Sequence, residues 1–142
     1  MTPPTDVARL SKALPFWLSL TFIPFVLAAW VYGGLLILLV PIYTWGLYGL
    51  MDAIAGLDLR NADPQTPEEN LFWYRLITMI WLPVQAVFIF GSIWVVSHTG
   101  DFQVWEKLLL FFGIGVASGT VGINYAHELM HQRNRLERAL AD

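Results

Sequence analysis

The sequence predicts an all-α fold, a polytopic membrane helix bundle with about four transmembrane helices. Hydrophobic residues make up 56% of its 142 residues and charged residues only 13%, against about 25% charged in soluble domains. Three stretches without a charged residue are long enough to cross a bilayer, and the first is long enough to cross it twice. The net charge of −3, without a basic stripe, gives no indication of nucleic-acid binding.

The four helices are predicted in order from these uncharged stretches. The first stretch, residues 13–51, divides at Tyr32-Gly33-Gly34, because paired glycines interrupt a helix. This division predicts one helix over residues 14–31 and a second over 35–56. Uncharged residues 76–100 and 108–126 predict the third and fourth helices. No composition shift separates domains, so residues 1–142 are interpreted as a single transmembrane region.

Lysine and arginine predict the orientation, because basic residues concentrate on the cytoplasmic side of a membrane protein. Seven of the eight basic residues fall on one predicted side, and Lys107 alone falls on the other. The seven are Arg9, Lys12, Arg60, Arg75, Arg133, Arg135 and Arg138. We therefore expect a multi-pass protein of the cell inner membrane with both termini in the cytoplasm.

A histidine motif stands at the end of the fourth helix. His127-Glu-Leu-Met-His131 places two histidines four residues apart, which brings both imidazoles to one helix face within reach of one metal ion. The chain has no cysteine, so histidines, carboxylates or backbone atoms must supply the ligands. Glu128 points about 100° away from His127 and is expected to support the ligands. His98 stands alone near the opposite membrane face and is not expected to bind the metal.

Two stripes follow the fourth helix when 100° is counted per residue. Small and polar residues lead toward the histidines, and we expect Thr120 and Asn124 to line a substrate channel or cavity with Gly113. The alternative is that both side chains only bond to neighbouring helices. The other stripe predicts a small-residue packing seam made of Gly115, Gly119, Gly122 and Ala126.

The motif by itself fits two reaction classes. In a zinc protease, Glu128 would activate a zinc-bound water. In membrane hydroxylases and desaturases, histidines of this kind bind iron. The polar residues after His131 favour iron, because zinc proteases usually carry a hydrophobic residue where Arg133 stands.

Residues 124–131, Asn-Tyr-Ala-His-Glu-Leu-Met-His, followed by Gln-Arg, resemble the first histidine box of the membrane-bound alkane monooxygenases. This family lies within the fatty acid desaturase and hydroxylase superfamily. A second segment resembles the family's connection between its second and third helices. Its matching positions are Met51 to Gly56, Asp58, Asn61, Pro64, Pro67 to Glu69, Tyr74 and Arg75. The similarity extends from about Pro15 to the C-terminus.

The resemblance implies a non-haem di-iron enzyme that inserts one oxygen atom of O₂ into a terminal C–H bond of an alkane. It implies that His127 and His131 are iron ligands, that the substrate arrives from membrane lipid, and that rubredoxin or ferredoxin supplies electrons. By the same resemblance Thr44, Trp45 and Tyr48 border the substrate pocket, although ordinary packing is an equal explanation for the two aromatic residues. Asp52 is an intramembrane carboxylate with an expected functional role, unless it only pairs with a nearby arginine.

The number of histidines bears on whether this chain can be active by itself. The family uses further histidine boxes, and the chain has three histidines in total. We therefore expect residues 1–142 to be the N-terminal part of a larger enzyme and to be inactive alone. The alternatives are another superfamily hydroxylase or desaturase, a membrane zinc protease, and a non-enzymatic helical assembly module.

Overall fold

The computed structural model describes residues 6–47, 49–50, 53, 71–130 and 139. Within this part of the chain, all regular structure is helical. Three helices are long and apolar enough to cross a membrane; we call them the first span, the long span and the histidine span. They cover Ala13–Tyr32, Phe72–His98 and Val104–Met130, and a shorter apolar helix, the short helix, covers Gly34–Gly46. The predicted all-α membrane fold is confirmed.

The first span changes its helical form along its length. Its parts are the end of the α-helix Asp6–Trp17, the 3₁₀ segment Leu18–Phe22 and the α-helix Ile23–Tyr32. Pro24 has no N–H to donate to the carbonyl of Leu20, four residues earlier. The amide of Ile23 donates to that carbonyl instead, which is the shorter bond of a 3₁₀ turn.

The break predicted between the first two helices is confirmed. Gly33 and Gly34 have φ values of 58° and 57°, a left-handed backbone region that favours glycine. The chain then reverses into the short helix and packs beside the first span. The short helix contains the 3₁₀ segment Gly34–Leu38 and the α-helical turn Leu39–Pro41, and it runs into the π-helical segment Ile42–Leu47.

The long span supplies much of the buried interface. Its inward side carries Ile77, Thr78, Trp81, Phe88, Ser92 and Val95. Gly91 allows close packing there, since a Cβ at this residue would lie 2.4 Å from the Trp30 ring. The Trp30 indole N–H donates to the Ser92 hydroxyl at 2.8 Å, so a partly buried polar pair joins the long span to the first span.

The histidine span contains a π-helical interruption just before its histidine motif. It comprises the α-helix Val104–Ala117, the π-helical segment Ser118–Gly122 and the α-helix Ile123–Met130. The amide of Ile123 donates to the carbonyl of Ser118, five residues earlier, as expected in a π turn. A wider turn offsets the following residues from the 100° spacing of a regular α-helix.

A buried carboxylate joins the two turns at one end of the bundle, which we call the turn end. Glu106 is 5% exposed. It accepts a hydrogen bond from the amide of Gly34 and another from the amide of Gln103, with which it forms a capping box. The turn after the first span is thereby tied to the start of the histidine span.

Glycines of the histidine span pack differently from the predicted seam. Gly115 and Gly119 are exposed, and no described atom lies within 4 Å of a Cβ built on either residue. Gly122 does pack, and a Cβ there would lie 1.9 Å from Gln85 Oε1. Gly113, which was placed on the polar stripe, is buried against Val40 and Pro41. Within the described residues the predicted seam is therefore wrong for Gly115 and Gly119, and the polar stripe is wrong for Gly113, which is buried while Thr120 and Asn124 are exposed.

Candidate metal-binding end of the histidine span

The first histidine of the motif lies on the outward side of the bundle. His127 is exposed, and none of the described residues forms a hydrogen bond with its imidazole. Tyr125 and Leu129 of the same α-helical segment are buried, which turns His127 and Glu128 outward. His131 lies outside the described residues. The imidazole of His127 is thus available to a metal ion.

Ligand number is the main limit on this site. Among the described residues no group of three or more His, Cys, Asp or Glu side chains is arranged to hold a metal ion. Neutral imidazole nitrogens suit iron, zinc and copper alike. The donor chemistry of His127 therefore fits iron, and the pair with His131 would supply two ligands.

His98 is far from this end of the bundle. Its ring stacks on Trp94 with centroids 4.9 Å apart, and its Nδ1 lies 2.9 Å from the Trp94 carbonyl oxygen. Trp81, seventeen residues earlier on the same helix, contacts Tyr125 beside the histidine motif. Seventeen residues of α-helix extend about 25 Å. His98 cannot share a metal ion with His127 in this arrangement.

Thr120 and Asn124 lie on the outward side of the histidine span, as His127 does. The Thr120 hydroxyl donates to the Val116 carbonyl at 2.8 Å, and the Asn124 side-chain amide donates to the Thr120 carbonyl at 2.6 Å. Both groups thus bond within their own helix in the π-helical region. Both residues are exposed, and the predicted channel stays a proposal.

The predicted substrate residues of the second helix point in different directions. Thr44 is 1% exposed, and its hydroxyl donates to the carbonyls of Val40 and Pro41. Trp45 is 65% exposed and stacks on Phe112 of the histidine span, with ring centroids 5.7 Å apart. Tyr48 and Asp52 lie outside the described residues. Of Thr44 and Trp45, only Trp45 is therefore exposed beside the histidine span, on which the channel is predicted.

Sequence reasoning missed the side chains behind the motif. Tyr125 bonds to the first span, its ring packs on Trp81, and Gln85 packs on Gly122. The available signals were Gln85, a polar residue in an apolar helix, and Tyr125, which lies within the segment 124–131 that resembles the family's first histidine box. These three side chains connect the motif to two neighbouring helices.

Two curated proteins are similar to this chain in sequence. Over 105 residues it is 33% identical to alkane 1-monooxygenase 1 of Pseudomonas aeruginosa, a match that covers 69% of this chain and 26% of that protein. Over 134 residues it is 28% identical to an alkane 1-monooxygenase of Pseudomonas putida, covering 89% of this chain and 33% of that protein. The chain thus spans about a quarter to a third of the length of these relatives.

No protein-family model matches the chain, and no solved structure matches it. The two relatives nevertheless show an alkane monooxygenase-like relationship over part of the chain. The resemblance found in the histidine motif is confirmed to that extent.

Proposed function

We propose that this chain is the N-terminal part of a membrane non-haem di-iron monooxygenase that hydroxylates terminal C–H bonds of alkanes with O₂. The observation that carries the proposal is an exposed histidine, His127, near the end of a helix long and apolar enough to cross a membrane, in a chain similar to two alkane 1-monooxygenases. The apolar spans support delivery of a water-insoluble substrate from lipid.

His127 and His131 are the proposed iron ligands. Bound iron would supply O₂ activation, which no side chain of this chain provides alone. The histidine count supports a ligand set completed by residues beyond these 142, since one histidine of the three lies at the other end of the bundle. We therefore propose that this chain alone is inactive. Glu128 and Asp52 are proposed to orient ligands or their neighbours.

The proposed substrate path follows the outward side of the histidine span. Trp45 and Phe112 form an exposed aromatic wall, and Thr120 and Asn124 lie nearer to the histidines. The Thr120 hydroxyl and one N–H of the Asn124 side-chain amide already donate within their own helix, which reduces the unpaired polarity that they present to a hydrocarbon. Thr44 would lie behind this wall, where its hydroxyl donates to backbone carbonyls of its own helix. Tyr48 is proposed to continue the wall.

Orientation and partners complete the proposal. The distribution of lysine and arginine supports an inner-membrane protein with the histidine motif at the cytoplasmic face and the turn end on the opposite side. A rubredoxin or ferredoxin would then deliver electrons from the cytoplasm to the proposed metal centre. Nothing in the sequence points to a nucleic-acid partner.

Metal content of the detergent-purified protein, measured by elemental analysis, is the first test. We expect close to two irons in a longer form that includes the downstream coding sequence, and little iron in this chain alone. In the longer form His127→Ala and His131→Ala should each lower the iron content, while His98→Ala should not. One tightly bound zinc in this chain alone would contradict the proposal and favour peptide hydrolysis.

Product analysis tests the reaction itself. The iron-loaded longer form, with a rubredoxin, its reductase and a linear alkane, should yield the terminal alcohol with one oxygen atom from ¹⁸O₂. An alkene or a hydroxylated alkyl-aromatic compound as the only product would instead place the protein with another branch of the superfamily.

A further inference from the structure

The direction of His127 depends on how one short helical segment is rotated about its axis. In Ile123–Met130, Tyr125 lies two residues before His127, and successive residues are about 100° apart. Tyr125 therefore points to nearly the opposite side of the helix from His127, and it is buried while His127 is exposed. Whatever holds the Tyr125 side chain also determines where the His127 imidazole points.

Tyr125 is held by a hydrogen bond to a distant part of the chain. Its hydroxyl donates to the carbonyl of Phe16 at 2.9 Å, and the hydroxyl of Ser19 donates to the same carbonyl at 2.8 Å. Phe16 stands where the α-helix Asp6–Trp17 gives way to the 3₁₀ segment Leu18–Phe22. The first span thus offers a carbonyl oxygen at the position where Tyr125 reaches it.

A second attachment lies one turn earlier. The Trp81 ring is fully buried and meets the Tyr125 ring edge to face, with centroids 6.2 Å apart. The Trp81 indole N–H donates to Gln85 Oε1 at 3.0 Å, and the same Gln85 side chain packs on the bare backbone of Gly122. Tyr125 and Gly122 therefore attach the segment to both the first span and the long span.

The attachment opposes a rotation that the π-helical segment Ser118–Gly122 would otherwise permit. A π turn holds one residue more than an α turn. If it relaxed to regular α-helix, the residues after it would rotate by about 100° relative to those before it. Such a rotation would move the Cα of residue 127 by about 3.5 Å, as calculated from the helix radius, and would bury the imidazole or turn it aside.

We propose that Tyr125 is a positioning residue that holds Ile123–Met130 in the rotation that directs His127 outward. The four-residue spacing in the sequence predicts that His131, which lies outside the described residues, shares that helix face. The assignment of these histidines as iron ligands rests on the proposed function. The positioning role itself rests on the contacts of Tyr125 and Gly122.

The experiment measures the distance between two nitroxide labels by pulsed electron resonance in detergent. The native chain has no cysteine, so His127→Cys and Phe90→Cys provide the only two labelling sites; Phe90 is exposed on the long span. In this background Tyr125→Phe keeps the ring against Trp81 and removes only the hydroxyl. Tyr32→Phe is the matched control, because Tyr32 is 74% exposed.

We expect one narrow distance distribution in the background and in Tyr32→Phe. Tyr125→Phe should add a second population displaced by several ångströms. Gly122→Ala should give the same displaced population, since its Cβ would push Gln85 away, whereas Gly119→Ala should not. A purely structural role would lower the unfolding temperature and leave the distance unchanged in the folded molecules.

An unchanged distribution in both Tyr125→Phe and Gly122→Ala would overturn the proposal. The outcome is independent of metal, because the labels replace the first histidine. If the labels move as expected and the longer form hydroxylates no alkane, the proposed function fails while the positioning role of Tyr125 stands.

Discussion

The approach of Gly113 to the short helix leads to a prediction with a worked magnitude. An ideal Cβ at residue 113 would lie 2.5 Å from Val40 Cγ1, 2.8 Å from the Pro41 nitrogen and 3.0 Å from the Val40 carbonyl carbon. Two of these three atoms belong to the backbone, so a rotamer change cannot make room and Gly113→Ala must push the two helices apart. Overpacking of this kind costs about 1–3 kcal/mol. We expect that loss in the free energy of unfolding relative to an alanine at Gly115, where the same gain in helix propensity applies without the overpacking.

Reversible unfolding of the purified chain in mixed micelles, followed by the fluorescence of its seven tryptophans, measures this loss. Gly115→Ala and Gly119→Ala are matched controls, since no described atom lies within 4 Å of a Cβ at either residue. Alanine is the better helix former by about 1 kcal/mol, so both controls should be at least as stable as the native chain. Equal stability of Gly113→Ala and Gly115→Ala would refute this packing.

Two further predictions concern the turn end and the long span. Glu106→Gln removes the charged acceptor of two backbone amides and should lower the free energy of unfolding by about 1–2 kcal/mol. Lys107→Gln is the control in the same assay. An equal effect of the two substitutions would contradict the prediction. Gly91→Ala should displace the Trp30 ring and shift its fluorescence. Ser92→Ala, which removes only the indole hydrogen bond, should cost less stability than Gly91→Ala, and the reverse order would contradict the packing.

The sequence predicted the helices well because its strongest signals are local. Uncharged runs predicted the three full-length spans, and the pair Gly33-Gly34 predicted the turn between the first two helices. A hydrophobic run or a glycine pair determines the structure of the same chain segment in which it occurs. Such features can be read from one sequence without knowing what the segment packs against.

The packing inside the bundle was not predictable in the same way. Angles along the fourth helix were counted at 100° per residue, and the π-helical segment Ser118–Gly122 breaks that count. Which glycine faces a neighbour also depends on the neighbour: Gly113 and Gly115 differ by two positions, and only the first meets the short helix. Nothing local distinguishes them.

The candidate site shows the same division. The four-residue spacing of the histidines predicts a shared helix face; His127 is exposed, and His131 lies outside the described residues, so the shared face stays a prediction. The attachment behind it joins Tyr125 to Phe16 across 109 positions of the sequence. A contact between such distant positions exists only after the helices have assembled, so no motif in one sequence reveals it.

The carboxylate at the turn end has a consequence for biogenesis. Gly34 and Glu106 are 72 positions apart, with the whole long span between them. The first two helices are therefore synthesised before Glu106, and this acceptor of the Gly34 amide arrives with the hairpin formed by the long span and the histidine span. We therefore expect this end to close after the first two helices have been inserted. A protein without the carboxylate should reach the membrane with normal topology and fail afterwards, at the stage where quality-control proteases recognise a loosely assembled bundle.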